Sequence, residues 1–535
     1  MISWVDSVNY RFCINMKDNK HSNNKVNISL ILSVAFVITP LILSLILMII
    51  QWAIQGFVAL PGVKWNDEAA YVKLIQTYAS YLSPKGYWGF DSNHAILGTG
   101  SAWNYAILAP YSLIAKVFPA GYSFVYICNM IFIMIANLLF ILLTKPKVRN
   151  LYKLILAEAT SVVFLLYINT NMSEIYRYAL VIVIAGLLYK VFFDECPVWL
   201  KYIVTPVVII YSVQVYTFFA FCIPVYVFAV LQKKKLWVRI LLSFVAMGVI
   251  AGGSYVILHL ISSNYNIGKT EALLNAIKSG RVLGAARSFL GMIKEGLIGL
   301  LNLRYYAKSN GIYIFHVMMA LLIIISGLMT ACSKKAEKKD RIIGVIVAYS
   351  VCIFGFMYMT LYTIVPDTFM RGTEIVILFS IILLMMTEDK WLAWTIILCN
   401  VMGLLFMPVN YNTFYGEERY YAGSELKEWK NLETDMSGLF EMTDSDNPYD
   451  NTILMYTMEP KVICAMPKGY GVNFVLNCQN YESDSKYIVM TKHDILRADW
   501  VEQDYRAYMN DNFEYMDNFY DVIYDDGEYI CFKKK

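Results

Sequence analysis

Charge is what this chain has least of. Only 16% of its 535 residues are Asp, Glu, Lys or Arg, against 58% hydrophobic, and histidine occurs five times. With a mean hydropathy of +0.49, that balance excludes an ordinary soluble domain. The ten cysteines show no metal-site spacing. Cys128, Cys222, Cys352 and Cys399 fall in apolar runs, where cysteine behaves as a small hydrophobe. Cys464, Cys478 and Cys531 share the C-terminal region, where there is room for one disulfide but the odd count argues against a designed framework. There is no glycine-rich phosphate loop, no internal repeat, and no nucleic-acid partner is expected.

Long apolar runs are abundant instead. Runs of about 18 or more such residues are long enough to cross a hydrocarbon core of about 30 Å. Bare backbone has no water to bond there, so the runs must be helices. Ile28 to Val58 is too long and too apolar for the core of a cleavable signal and reads as a retained first span.

Charge is also unevenly placed. From Val409 onward there are 12 basic and 24 acidic residues, whereas the preceding part holds 33 basic and 17 acidic. The change near Pro408 divides the chain into a cytoplasmic segment (1–27), a transmembrane region (28–408) and an acidic extracytoplasmic domain (409–535). Lys17, Lys20 and Lys25 set the N-terminus on the cytoplasmic side. Eleven spans are then expected, at about 28–58, 121–143, 151–168, 175–193, 202–214, 214–231, 240–261, 312–330, 342–362, 374–386 and 391–407. Ala102–Phe118 is laid flat on the outer surface, and the uncharged stretch Tyr202–Leu231 is split near Gln214, because either choice otherwise puts a basic run outside. The cytoplasmic loops other than Asp194–Lys201 and the Thr387–Lys390 turn are rich in Lys or Arg. The fold class expected is an all-α polytopic protein of the plasma membrane with outer loops at 61–120 and 262–311. Its C-terminal domain reads as small α/β: strands at Ile453–Thr457, Val462–Met466 and Tyr487–Thr491, a helix at Ala498–Asn512, and a hairpin turning at Asp525-Asp526-Gly527-Glu528.

Polar residues gather on the outer face. Asn66-Asp67-Glu68 follows the first span, where Asp67 reads either as a helix cap or as a base reaching an acceptor hydroxyl. Asp91 and His94 are either part of a polar loop or contacts to a sugar or acceptor, or share a divalent cation with Asp67. Glu174 and Arg177, three apart on a helix, pair with each other or leave Arg177 for a lipid phosphate. Arg371 has the same position at the entry of a later span, and a guanidinium suits phosphate bidentately. The 262–311 loop carries Lys269, Lys278, Arg281, Arg287, Lys294 and Arg304 on amphipathic helices that either meet anionic headgroups or cover an anionic donor. Glu158 lies inside an apolar span and needs a partner.

In these features the chain resembles the GT-C superfamily of membrane glycosyltransferases, in the branch of protein O-mannosyltransferases and aminoarabinose transferases. Asn66-Asp67-Glu68 is similar to the acidic motif of the first outer loop. Trp103-Asn104-Tyr105-Ala106-Ile107-Leu108-Ala109-Pro110, ending at Lys116-Val117-Phe118-Pro119, resembles the flat helix before the second span. Tyr176-Arg177-Tyr178-Ala179-Leu180 and Met370-Arg371-Gly372 resemble the polar entries of two later spans. The family's His-Pro-Pro lead-in is replaced by Gly98-Thr99-Gly100-Ser101-Ala102, and no second catalytic acid stands out. The resemblance implies sugar transfer, with inversion, from a polyprenyl-phosphate-linked donor to an extracytoplasmic acceptor. Asp67 would act as base, Glu68, Asp91, His94 and Glu174 would contact substrate, and Arg177, Arg371, Arg281, Arg287 and Arg304 would stabilise phosphate. Codon-driven richness in Lys, Asn, Ile and Tyr points to an AT-rich bacterial genome and an envelope polymer or glycan as acceptor. The rival readings are a transporter or flippase of lipid-linked saccharide, a polymerase or ligase using the same donors, and a sensor whose acidic domain binds a ligand.

Overall fold

The computed structural model describes residues 20–56, 60–63, 66–81, 88–89, 105–261, 271–301, 312–361, 366–404, 423–444, 448–456, 459–468, 470–474, 485–492, 495–497, 501–503 and 515–535. The chain opens with α1 (Lys20–Gln55) and α2 (Asn66–Tyr81), followed by a two-residue strand β1 (Trp88–Gly89) and α3 (Tyr105–Ala115). Then come α4 (Phe124–Thr144), α5 (Val148–Thr160), α6 (Val162–Tyr167) and α7 (Glu174–Phe193). A π turn leads into α8 (Thr205–Val215), and a 3₁₀ turn into α9 (Cys222–Val230). Among the described residues the further helices up to the acidic region are α10 (Leu236–Ile261), α11 (Glu271–Lys278), α12 (Val282–Leu300), α13 (Ile312–Cys332), α14 (Lys338–Leu361), α15 (Pro366–Met385) and α16 (Lys390–Leu404).

Among the described residues six helices are long and apolar enough to cross a membrane: Ile28–Ala53, Phe124–Thr144, Glu174–Phe193, Leu236–Ser254, Phe315–Cys332 and Lys338–Thr360. The other five expected spans fall on shorter or broken helices, so length and composition support six crossings of the eleven. The expected span at 151–168 is interrupted at Ser161, whose backbone turns extended (φ −68°, ψ 109°). Its hydroxyl accepts from the Phe164 N–H at 3.4 Å, so the serine ends α5 and caps α6. The uncharged stretch 202–231 does break, at extended Tyr216, two residues beyond the expected point.

Small residues set the closest helix crossing. A Cβ on Gly327 of α13 would stand 2.8 Å from the Gly344 carbonyl of α14, a gap that only glycine tolerates and that lets the two backbones touch. Lipid-sized apolar side chains, among them Leu241, Phe244 and Val249 of α10, remain exposed, as expected of helices solvated by hydrocarbon.

The C-terminal region forms α17 (Gly423–Ser437), β2 (Thr452–Tyr456), α18 (Pro460–Ala465), β3 (Gly471–Phe474), β4 (Tyr487–Thr491), β5 (Ile495–Arg497), β6 (Val501–Gln503), β7 (Tyr520–Asp525) and β8 (Tyr529–Lys534). The main sheet runs β1-β3-β2-β4-β8-β7, parallel as far as β4 and antiparallel beyond it. Two expectations are corrected. Val462–Met466 is not a strand but largely the short helix α18, with a proline at its start where the missing N–H costs nothing. Within Ala498–Asn512, Val501–Gln503 pairs antiparallel with β5, and the rest lies outside the described residues. The closing hairpin is as expected, with Gly527 at φ +90° in its turn. Cys464 and Cys531 are buried free thiols, and Cys478 is outside the described residues.

The sheet also reaches back across the expected domain boundary. Strand β1, from the segment between α2 and α3, pairs with β3 (Trp88 to Val472, Gly89 to Asn473). Tyr122 donates to Glu433 of α17 at 2.9 Å and meets the Trp429 ring edge-on. Lys73 of α2 is buried beside Cys464 of α18, and burial pushes the lysine down and the thiol up to about 12.

Candidate active site

The site is built on a buried polar loop. Asn169, Thr170 and Asn171 connect α6 to α7 and are almost wholly inaccessible. Buried amides must find partners, and these bind the loop to three neighbours. The Asn169 Oδ1 accepts from Ser44 at 2.6 Å, tying in α1. The Asn171 Nδ2 donates to the carbonyls of Gly62 and Tyr122, both at 2.9 Å, and its Oδ1 accepts from the Tyr126 N–H at 3.0 Å. The Asn171 N–H donates to Glu68 at 2.8 Å. Glu68 thereby fixes the first turn of α2, where an acidic side chain also supports the helix start.

Asp67, the neighbour of Glu68 in that turn, is partly exposed. One turn on, the Tyr71 hydroxyl bonds Ser173 at 2.8 Å, directly before α7. The same serine oxygen accepts from the Arg177 guanidinium at 3.2 Å. Arg177 lies 3.6 Å from Glu174, and its guanidinium sits 4.3 Å above the Tyr216 ring. The extended kink at Tyr216 puts that ring there, which gives the break between α8 and α9 a use. Burial pushes the Tyr71 phenol well above its usual range, with Arg177 opposing and Glu174 and Asp67 adding to the rise. Tyr71 and Arg177 therefore share the Ser173 hydroxyl, and Tyr71 lies within the fields of Arg177, Glu174 and, most weakly, Asp67.

A further acid completes the group from α15. Glu374 is wholly buried, accepts from the Tyr178 hydroxyl of α7, and lies 3.9 Å from the His316 Nε2 of α13. It interacts electrostatically with Glu174 and Arg177. Sequence reading missed Glu374 and His316 as site residues. The signal was present, since an ionisable residue inside an apolar run marks function by default.

Of the expected residues, the fold brings together Asp67, Glu68, Glu174 and Arg177. Arg371 occupies the second turn of α15, three residues before Glu374. Arg281 and Arg287 are exposed at the start of α12. Asp91, His94 and Arg304 lie outside the described residues. Among the described residues no three His, Cys, Asp or Glu side chains converge on a metal position. Glu158 has found its partner in Asn137, whose Nδ2 stands 3.1 and 3.2 Å from its two oxygens and 3.0 Å from the Phe36 carbonyl.

No family model and no curated protein matches this sequence. Solved structures do. The archaeal oligosaccharyltransferase AglB of Archaeoglobus fulgidus, in complex with an inhibitory peptide and a dolichol-phosphate, is 11% identical, with a TM-score of 0.47 over 86% of this chain and 69% of that one. The same organism's oligosaccharyltransferase with Zn and sulfate gives 14%, 0.44, 94% and 73% in the same order. ArnT of Cupriavidus metallidurans bound to undecaprenyl phosphate is 8% identical, with a TM-score of 0.38 over 93% of this chain and 97% of its own. At TM-scores below 0.5 these likenesses carry no conclusion about chemistry.

Proposed function

We propose that the protein is a multi-pass membrane glycosyltransferase that moves a sugar from a polyprenyl-phosphate-linked donor to a hydroxyl of an extracytoplasmic acceptor, with inversion. The observation that carries this reading is the chain Tyr71–Ser173–Arg177 one turn beyond Asp67, with Asp67 acting on the same Tyr71 through its field. A partly exposed carboxylate and a buried guanidinium at one end of the bundle suit a displacement in which a proton leaves the nucleophile as negative charge grows on a phosphate. Asp67 takes the proton from the acceptor hydroxyl as its oxygen attacks the anomeric carbon. The bond to the phosphate oxygen breaks, and Arg177, with Arg371 assigned the same role, stabilises the departing polyprenyl phosphate. Glu68 and Glu174 hold Asp67 and Arg177 in place through Asn171 and the ion pair. Arg281, Arg287 and Arg304, with Asp91 and His94, are assigned to donor and acceptor contacts. The donor is of the carrier class bound in the solved structures of AglB and ArnT. Its lipid tail stays in hydrocarbon while its phosphate meets the arginines at the boundary. The acceptor is a glycan or envelope polymer.

The test is Asp67→Asn, followed as transfer of label from polyprenyl-phosphate sugar into envelope material by membranes containing equal amounts of inserted protein. Transfer falls by roughly 10²–10⁴-fold if Asp67 is the base. Retained transfer reduces the motif to a helix start and brings the polymerase and transporter readings forward.

A further inference from the structure

No glycine or proline stands between Pro206 and Pro224, yet the helix breaks at Tyr216, whose backbone is extended (φ −156°, ψ 117°). Neither residue therefore causes the break. The Tyr216 ring lies beneath the Arg177 guanidinium, 4.3 Å from its central carbon to the ring centroid. That ring is the first of a stack. Tyr216 meets Phe218 edge-on at 5.1 Å, and Phe218 stacks on Tyr358 of α14 at 5.2 Å and 19°. Phe354 lies against both Phe218 and Tyr358, and all three are buried. At the far end of the stack is Gly372 of α15. A Cβ there would stand 2.9 Å from the Tyr358 ring, closer than carbon atoms pack. Gly372 is the next residue in the chain after Arg371.

The guanidinium is held in two ways. At its edge, Ser173 accepts an N–H at 3.2 Å and Glu174 stands 3.6 Å away. On its face is the Tyr216 ring, which attracts the cation through its quadrupole and takes up none of its N–H donors. Another oxygen acceptor in place of the ring would also fix the arginine, but it would take a donor. A carboxylate there would in addition cancel the charge. An aromatic face suits a cation that has to stay in place and still meet an arriving phosphate with its planar fork.

We propose that Tyr216 is a positioning residue for phosphate binding: its ring, backed by Phe218 and Tyr358, holds the Arg177 guanidinium in the orientation that meets the departing phosphate. It acts through Arg177. The same stack seats the turn of α15 that carries Arg371, so both arginine-bearing turns are built against one aromatic wall. The inference rests on the assignment of Arg177 to the carrier phosphate.

The test replaces Tyr216 in the full-length protein by Phe and by mono-, di- and trifluorinated phenylalanine, and measures binding of decaprenyl phosphate in detergent. Fluorine changes the shape of the ring little but withdraws charge from its face. Affinity falls step by step along the series, by about 5- to 30-fold between Phe and the trifluorinated ring, the loss that follows when an attraction of this kind is removed. Tyr216→Leu loses about as much. Equal affinity along the series means that the ring acts by shape alone and overturns the proposal. Arg177→Gln separates this result from the reading beneath it. If Arg177→Gln abolishes binding while the fluorinated series is flat, the assignment of Arg177 stands and the role of Tyr216 is lost. If Arg177→Gln binds no worse than the native protein, the assignment of Arg177 fails and the proposal fails with it.

Discussion

The two ends of the helix bundle treat acidic residues differently. Where α7 and α15 begin, Glu68, Glu174 and Glu374 are buried and each is held, by the Asn171 N–H, by Arg177, or by Tyr178 and His316. Where α14 and α16 begin, Glu337 and Asp389 stand exposed along an open cavity and one oxygen of Asp340 is unmatched. Both ends leave carboxylate oxygens without a hydrogen-bond partner among the described residues, Glu174 Oε2 and Glu374 Oε1 at one and Asp340 Oδ1 at the other. What differs is burial: Glu68, Glu174 and Glu374 are inaccessible, whereas Glu337 and Asp389 are exposed. Buried acids there lean on fixed neighbours, and exposed ones lean on water.

Removing the central cation should strain that contrast most. Arg177→Ala leaves Glu174 buried without its guanidinium, and should destabilise the protein by roughly 3–5 kcal/mol. A lowered midpoint in thermal unfolding of the detergent-solubilised protein would register it. Arg177→Lys keeps the charge but loses the planar fork over Tyr216 and should fall between the two. An unchanged midpoint in the alanine variant would mean that this end is no more tightly paired than the other.

A smaller effect is expected at Lys73, the buried cation where α2 meets α18. Burial lowers its folded pKa below the unfolded value, so between the two values the unfolded chain binds more protons and stability rises with pH. Below the folded value the full penalty of a buried ammonium applies. Lys73→Met should therefore be stabilising at neutral pH, by about 1–4 kcal/mol, and the advantage should narrow as pH is raised from 7 towards 10. Unfolding midpoints of both proteins across that range test the sign. Smallest is Tyr71→Phe, which removes the bond to Ser173 and should cost about 1 kcal/mol. If transfer also falls more than that loss accounts for, the phenol takes part in placing Asp67.

How much of this was readable from the residues depended on how local the cause was. The long apolar helices and the 520–534 hairpin follow from runs and turn chemistry within a dozen residues. Asp67, Glu174 and Arg177 stood out because charge is scarce near the outer ends of the apolar runs. The break at Ser161 was harder, since one serine between two apolar stretches caps or continues a helix according to what packs around it. Val462–Met466 is too short for periodicity to separate helix from strand, and Pro460 decided it as a helix start. Glu374 and His316 lie 58 positions apart in the sequence, and nothing before the folding of α13 against α15 links them. Nothing in the sequence marks the asparagines at 169 and 171, which are buried between two helices and are the hub that positions α2.

The pairing of Trp88 with Val472 has a consequence for biosynthesis. A ribosome adding roughly 5–20 residues per second makes the edge strand β1 some 20–80 s before its parallel neighbour exists. For that interval the strand has an unpaired backbone edge. The segment between α2 and α3 is therefore completed only when the last quarter of the chain has been delivered. A stalled or truncated product would carry every long apolar helix and still have an unfinished sheet.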